Sequence, residues 1–312
     1  MPGTTKNQSA ASRTSIVTDV DSVVDTVSDG DIVAVGGFLT SHQPMAFVRE
    51  LVRSERSGLT VVAPPTSLET DLLIATGCVD TVLALYVGAE RIASIAPWFR
   101  HRAEVGEIAV KESDGGMIVA ALEAAERNLP FMPWRGGVGT AIPERNDDVV
   151  VFDDPIAGEP LVGVPAIDVD VALLHAARAD RFGNVQAVAD TFADGLIARA
   201  ADRMFVQVES VVSNDEVRQS PDRTLASPGN VDGVVEAPWG AHPFSCEGHY
   251  LADVDALKSY VEAATAAVDG DTAAWDDYLE RSVYGPEGHF EYVDRLSTQR
   301  RVDLREYGGA DE

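Results

Sequence analysis

Short uninterrupted apolar runs alternate along the chain with amphipathic ones. The rhythm predicts strands at 32–36, 59–63, 81–87, 107–110, 149–152, 169–175 and 204–208. Residues 44–53, 68–76, 116–127, 192–201, 254–268 and 273–281 read as helices. Within 116–127, Ile118, Ala121, Leu122 and Ala125 recur at helical spacing, and Thr191-Phe192-Ala193-Asp194 reads as a capping box opening the next helix. Strands alternating with helices predict an α/β fold: an open, mostly parallel sheet with helices on both faces. Residues 1–12 read as a flexible polar tail, 13–305 as one domain and 306–312 as an acidic tail. The Pro/Gly/Asp-rich stretch 143–165 is the candidate boundary between two lobes.

The first run ends on paired glycines, Gly36-Gly37-Phe38, and a helical segment starts after Pro44. Strand, glycine turn and helix in that order is where α/β proteins place ligands. Helix N-termini expose unpaired N–H groups, and bare glycine backbone lets a ligand approach closely. A second glycine cluster, Trp134-Arg135-Gly136-Gly137-Val138-Gly139, carries a lone arginine. Glycines beside a guanidinium suit a carboxylate or phosphate, and an ordinary turn with a surface arginine reads equally well. In a third cluster, 237–249, His242, Cys246 and His249 have a metal-like cadence. A fourth ligand is missing and prolines and glycines shape the segment, so no metal is expected. Asp180-Arg181-Phe182-Gly183-Asn184 reads as a tight turn joining strands. Glu69 and Glu112 sit beside strand ends and read as solvated surface. No Gly-x-Ser-x-Gly elbow, Walker loop or full Gly-x-Gly-x-x-Gly fingerprint is present.

Charge narrows the picture. The 312 residues carry 51 Asp and Glu against 24 Lys and Arg, a formal net charge of −27. Its lysines are Lys6, Lys111 and Lys258. Nucleic acid and anionic lipid surfaces are excluded as partners, since both need basic patches. Dispersed acid with almost no lysine resembles proteins of salt-accumulating organisms. Two distant cysteines, Cys78 and Cys246, indicate neither a disulfide framework nor a zinc ribbon. No apolar run approaches the roughly 20 residues that span a bilayer, and the first dozen residues lack the apolar core of a signal peptide. The expected location is cytoplasmic.

Taken together, these clusters resemble the α (A) subunit of family I CoA-transferases, most closely the glutaconate CoA-transferase branch. Asp29, Gly30, Val33-Ala34-Val35, Gly36-Gly37-Phe38 and Pro44 match the family's opening signature in register. Where many shorter relatives have a glycine two residues before that proline, this chain has His42. Val164-Pro165, the run 168–172, His175-Ala176, Gly183-Asn184, the run 209–216 and the run 237–243 continue the likeness, which covers roughly residues 20–300. The resemblance implies a sheet fold related to sugar-phosphate isomerases and a β-subunit partner in a hetero-oligomer, with acyl-CoA and carboxylate substrates. It further implies a nucleophilic glutamate supplied by the β subunit, so that no catalytic residue is expected on this chain and no cofactor beyond the CoA thioester substrate. Gly36, Gly37 and Phe38, with Arg135, Gly136 and Gly137, would then line the substrate and CoA site as anion-binding loops, Arg135 pairing with a substrate carboxylate.

Two alternatives stay open. The run Glu112-Ser113-Asp114-Gly115-Gly116-Met117 and Pro133-Trp134-Arg135 are also similar to the α subunit of steroid-ring-opening CoA hydrolases, which carries an additional acidic residue where this chain has Gly115. A non-catalytic effector-binding module on the same fold, for an acyl-CoA or a sugar phosphate, is the other. The charge pattern itself generates a prediction. Self-repulsion destabilises the fold in dilute buffer and is screened at molar salt, where the Debye length is roughly 3 Å. The melting temperature should rise from low to molar KCl, and a flat or falling curve contradicts the halophilic reading.

Overall fold

The computed structural model describes residues 14–63, 65–188 and 191–305. In chain order the strands are β1 (Val17–Thr18), β2 (Ile32–Val35), β3 (Leu59–Ala63), β4 (Val79–Ala84), β5 (Ala109–Val110), β6 (Phe131–Trp134), β7 (Val150–Asp153), β8 (Pro160–Pro165), β9 (Val169–Asp180), β10 (Val185–Gln186), β11 (Ala201–Val212), β12 (Thr224–Ala226) and β13 (Gly233–Glu236). The helices are α1 (Val20–Val24), α2 (Met45–Arg53), α3 (Leu68–Ala75), α4 (Pro97–Val105), α5 (Gly115–Glu126), α6 (Ile142–Arg145), α7 (Asp194–Ala200), α8 (Asn214–Gln219), α9 (Val254–Val268), α10 (Ala273–Leu279), α11 (His289–Arg295) and α12 (Thr298–Leu304).

The main sheet runs β1-β13-β11-β9-β2-β3-β4-β5. Neighbours along this path are parallel. Only the short β10, antiparallel to β9 and β12, breaks the pattern. Central strands of such a sheet are buried on both faces and therefore read as continuous apolar runs. One face, with Val33, Val35, Val61, Val171 and Leu173, packs against α2, α3 and α9. The other, with Ala34, Val62, Ala172, Leu174 and Val206, packs against Ile118 and Leu122 of α5 and Ile197 of α7. Helices thus cover both faces, as the pattern predicts. Among the described residues no helix is long and apolar enough to cross a membrane.

Several boundaries differ from the pattern. Strands β9 and β11 pair from Val169 and Ala201 to Asp180 and Val212, well beyond their apolar runs, because polar residues within them are satisfied inside the fold. The segment predicted at 149–152 is a strand, β7, but it joins β8 and β6 in a separate antiparallel sheet. Val162 and Val164 of that sheet pack on Met117 and Ala121 of α5. The stretch 143–165 therefore contributes α6, β7 and β8. The capping box at Thr191 does not form: α7 begins after Ala193 without a side-chain cap, and the Asp194 carboxylate bonds elsewhere. The Asp180–Asn184 turn forms as expected, its Asp180 Oδ1 accepting from Phe182 N at 2.9 Å and Asn184 N at 3.0 Å.

The surface reading holds for Glu112, which is exposed, and fails for Glu69, which is fully buried. Helix α3 buries two acids, Glu69 and Asp71. Glu69 accepts from the Thr66 hydroxyl and from Ser67 N at 3.0 Å, and burial pushes its carboxyl up. Asp71 accepts from Phe99 N at 2.6 Å and the Tyr260 hydroxyl at 2.8 Å, tying α3 to α4 and α9. Burial, outweighing these bonds, raises Asp71 from 3.8 to about 7. The folded chain then holds a proton on Asp71 that the unfolded chain releases, so its contribution to stability falls as pH rises from about 4 to 7. Asp71→Asn is expected to flatten the pH dependence of urea unfolding between pH 4 and 7; an unchanged slope contradicts the assignment.

Candidate functional site

The carboxyl ends of β2, β9 and β11 meet at one rim of the sheet, the position at which open α/β sheets take ligands. Gly36 closes the ladder, its N–H donating to Leu173 O at 3.0 Å. A Cβ on Gly36 would stand 2.3 Å from Leu174 Cδ2 and 2.9 Å from Asp194 Oδ1, so only glycine fits. Gly37 (φ 98°) donates to Asp194 Oδ1 at 2.9 Å, and Phe38 N donates to Ser41 O at 2.9 Å. All three amides of the Gly-Gly-Phe turn are thereby committed.

The first turn of α2 is equally closed. Met45 N donates to Gln43 O at 2.8 Å, Ala46 N to Gly240 O at 3.2 Å and Phe47 N to Gln207 Oε1 at 3.1 Å. Pro44 cannot cap the helix with a side chain, and Gln207 of β11 does so instead. The expectation of free helix N–H groups is corrected here: this helix start offers no anion cradle. The turn presents bare backbone and the Phe38 ring, which leans on Phe192 at a centroid distance of 5.3 Å.

Beneath the turn lies a buried polar floor that the sequence reading did not assign. Gln207 spends its carbonyl on Phe47, so its amide donates to His175 Nδ1 at 2.8 Å. The His175 proton therefore sits on Nε2, 3.1 Å from Glu209 Oε1, at an angle poorer than a good hydrogen bond. Burial lowers His175 more than Glu209 raises it, keeping the ring neutral. Burial alone would raise Glu209; bonds from His175, from the Tyr250 hydroxyl at 2.6 Å and from Trp239 N at 2.7 Å outweigh it and hold it low. The available signal was a histidine, a glutamine and a glutamate inside otherwise apolar strand runs.

The third sequence cluster folds over this floor. Trp239 stacks on Tyr250 at 4.3 Å, and Arg49 of α2 donates to His242 O at 2.6 Å while lying 3.5 Å over the Tyr292 ring. His242 turns to Tyr292 (2.6 Å) and Asp253 (3.1 Å), away from the metal-like grouping. Cys246 instead lies with His175 and Glu209, their ligand atoms within 4.8 Å of one another. His175 Nε2, which carries the ring hydrogen, and Glu209, already bonded by the Tyr250 hydroxyl and Trp239 N, suit hydrogen bonding rather than a cation.

Four residues around the rim hold left-handed backbone without being glycine: Leu39 (φ 52°), His42 (57°), Phe192 (53°) and Trp239 (63°). Strain of this kind costs of order 1–3 kcal/mol each and clusters at functional sites. The Arg135 turn stands farther along the same edge. Gly115, at the start of α5, faces Leu85 just after β4, and Trp134 packs where Cβ atoms of Gly116 and Gly136 would lie. The end of β4 is two strands, roughly 10 Å, from the end of β2. Arg135 is 76% exposed and pairs with Glu159 in this chain. A separate cavity of about 520 Å³, lined by Ile32, Thr60, Val62, Leu83, Met117 and Val164, lies on the α5 face.

A parallel sheet wrapped on both faces, with a glycine turn, a buried polar floor and strained loops at one carboxyl rim, defines an α/β protein with a rim ligand site. The sequence profile described as Coenzyme A transferase matches residues 17–237, and the chain belongs to that family. It is 29% identical to the A subunit of glutaconate CoA-transferase from Acidaminococcus fermentans, over 93% of this chain and 94% of that one. The crystal structure of glutaconate coenzyme A-transferase from that organism superposes with a TM-score of 0.89 at 29% identity, covering 94% of this chain and 96% of the other. The chain is 32% identical to the cholesterol ring-cleaving hydrolase IpdA subunit of Mycobacterium tuberculosis, covering 88% and 95%. A 32% identical protein of Archaeoglobus fulgidus is longer, and this chain spans 62% of its length.

The crowding at Gly36 yields a direct check. Gly36→Ala should destabilise the fold by ~1–3 kcal/mol, as overpacking does, read as a lower urea midpoint at unchanged m value; a wild-type midpoint contradicts the packing described.

Proposed function

We propose that this chain is the α subunit of a two-subunit CoA-transferase that moves CoA from an acyl-CoA to a free carboxylate. The observation that carries the reading is the end-to-end likeness to glutaconate CoA-transferase, at a TM-score of 0.89. Its β partner supplies the glutamate that attacks the thioester, passes through an anhydride and holds the CoA as a glutamyl thioester until the acceptor carboxylate takes it. The rim carboxylates support this division. Glu209 is held by Tyr250, Trp239 N and His175, Glu247 by Ser41 and His42, and Glu69 by Thr66 and Ser67 N. Glu209 and Glu247 are committed within this chain, and Glu69, whose Oε2 has no hydrogen-bond partner, is fully buried, so none stands ready as a nucleophile.

This chain's share is the wall of the acyl site. Gly36 and Gly37 let the ligand approach the backbone, and Phe38 with Phe192 gives it an apolar surface. With its amides committed, this turn shapes the pocket and leaves the anion to other groups. Arg135, with Gly136 and Gly137, is the cationic element, exchanging Glu159 for a substrate carboxylate when the partner closes the site. The CoA thioester enters as substrate, with no further cofactor, and the setting is the cytoplasm of a salt-accumulating cell.

The similarity to the IpdA subunit favours a second reading, hydrolytic ring opening of a CoA thioester. One experiment separates the two. Co-expressed with the β-type partner encoded beside it, the chain should exchange CoA between an acyl-CoA and free carboxylates, and borohydride should trap a glutamate on the partner. Arg135→Met should raise the acceptor KM or lower kcat/KM about tenfold or more, the loss of one charge-assisted pair. Transfer by this chain alone overturns the division of roles, and turnover without any carboxylate acceptor supports hydrolysis.

A further inference from the structure

The loop after the Gly-Gly-Phe turn holds a histidine in a place that suits glycine. His42 has φ 57° and is 2% exposed. The loop is closed by Phe38 N to Ser41 O (2.9 Å) and Ser41 N to Phe38 O (3.0 Å), and is pinned from outside by His42 N to Ser245 O (2.8 Å). Glu247, 39% exposed at the side chain, stands across from it.

The protons in this cluster can be assigned. Burial alone would raise Glu247, but the bonds and charge of His42 and the bond from Ser41 bring it down to about 2, leaving it ionised and an acceptor only. The Ser41 hydroxyl lies 2.8 Å from both Glu247 oxygens and gives its hydrogen there. His42 Nδ1, 2.9 Å from Glu247 Oε2 and 2.9 Å from Ser41 Oγ, must then carry a proton. The opposite nitrogen, Nε2, is buried without a hydrogen-bond partner, on a ring 6.1 Å from that of His175.

Neither the left-handed backbone nor the unpartnered buried nitrogen stabilises the fold, and glycine at this position would remove both. A side chain held at such a cost next to the ligand turn points to function. We propose that His42, anchored by Glu247, is a positioning residue of the acyl-CoA site: it fixes the loop 38–42 that presents Phe38 beside Phe192, and holds its unpartnered Nε2 within the rim. This rests on the CoA-transferase reading above.

His42→Gly tests it in the complex with the β partner. The variant keeps the backbone conformation and leaves a hole shaped for imidazole. Expected are a melting temperature equal to or above wild type, a kcat/KM for acyl-CoA at least tenfold lower, and partial restoration by millimolar imidazole. Glu247→Gln, which weakens the anchor but leaves the ring in place, should lose activity in the same direction without any response to imidazole. Wild-type kinetics in His42→Gly overturn the proposal. So does a loss that imidazole does not restore, or one accompanied by a lower melting temperature, since either marks a purely structural residue. If the wild-type complex itself neither binds nor exchanges CoA, the transferase reading fails and this inference falls with it. Activity in the wild type with an indifferent His42→Gly removes the inference alone.

Discussion

The rim is organised around one buried charge. Glu209 places an ionised carboxylate, 8% exposed, near the end of a central strand. Left unpaired, such a charge costs several kcal/mol, so its surroundings must be built to receive it. Two donors from the segment after β13, Trp239 N and the Tyr250 hydroxyl, do so, with His175 of the neighbouring strand 3.1 Å away. Meeting them fixes where the segment after β13 runs. Tyr250 in turn accepts from Ala241 N at 3.0 Å, and Trp239 is stacked onto its ring.

From that anchor the constraint spreads outward. The segment laid over Glu209 gives Gly240 O to Ala46 N and His242 O to Arg49, which seats α2. Gln207, one pleat from Glu209 on β11, caps the same helix and orients His175. Asp194, freed from capping α7, holds Gly37 instead. Helix, glycine turn and covering loop are thus locked by polar groups whose partners lie far away in sequence. Strained residues persist there because the neighbouring bonds over-determine them.

A site closed in this way is well suited to share chemistry with a second chain. Its amides and carboxylates are occupied at home, and what it leaves outward is the apolar pair Phe38 and Phe192 with the cationic Arg135 farther along the edge. On the function proposed above, such a wall positions a substrate without competing for it, while a nucleophile from a partner is brought in at the open side.

Periodicity alone predicted strands β2, β3, β4, β5, β9 and β11, helices on both faces and the position of the Gly36-Gly37 turn, because those features follow from local burial on both faces of a central strand; the short β1, β10, β12 and β13 were not predicted. The register of motifs around Gly36, Gly183 and Pro238 likewise carried the family. What the helix after Pro44 does with its N–H groups was not legible, since Gln207 and Gly240, its partners, lie some 160 and 194 residues downstream. Glu69 read as surface for a different reason: its partners, Thr66 and Ser67, are sequence neighbours, and its burial comes from α2 and α4 packing against α3. The metal-like spacing of His242 and Cys246 dissolved because His242 turns to Tyr292 and Asp253 while Cys246 lies beside His175 and Glu209. The order of residues dictates which groups must be satisfied; only the tertiary structure decides by whom, because hydrogen-bond partners are chosen by proximity in space.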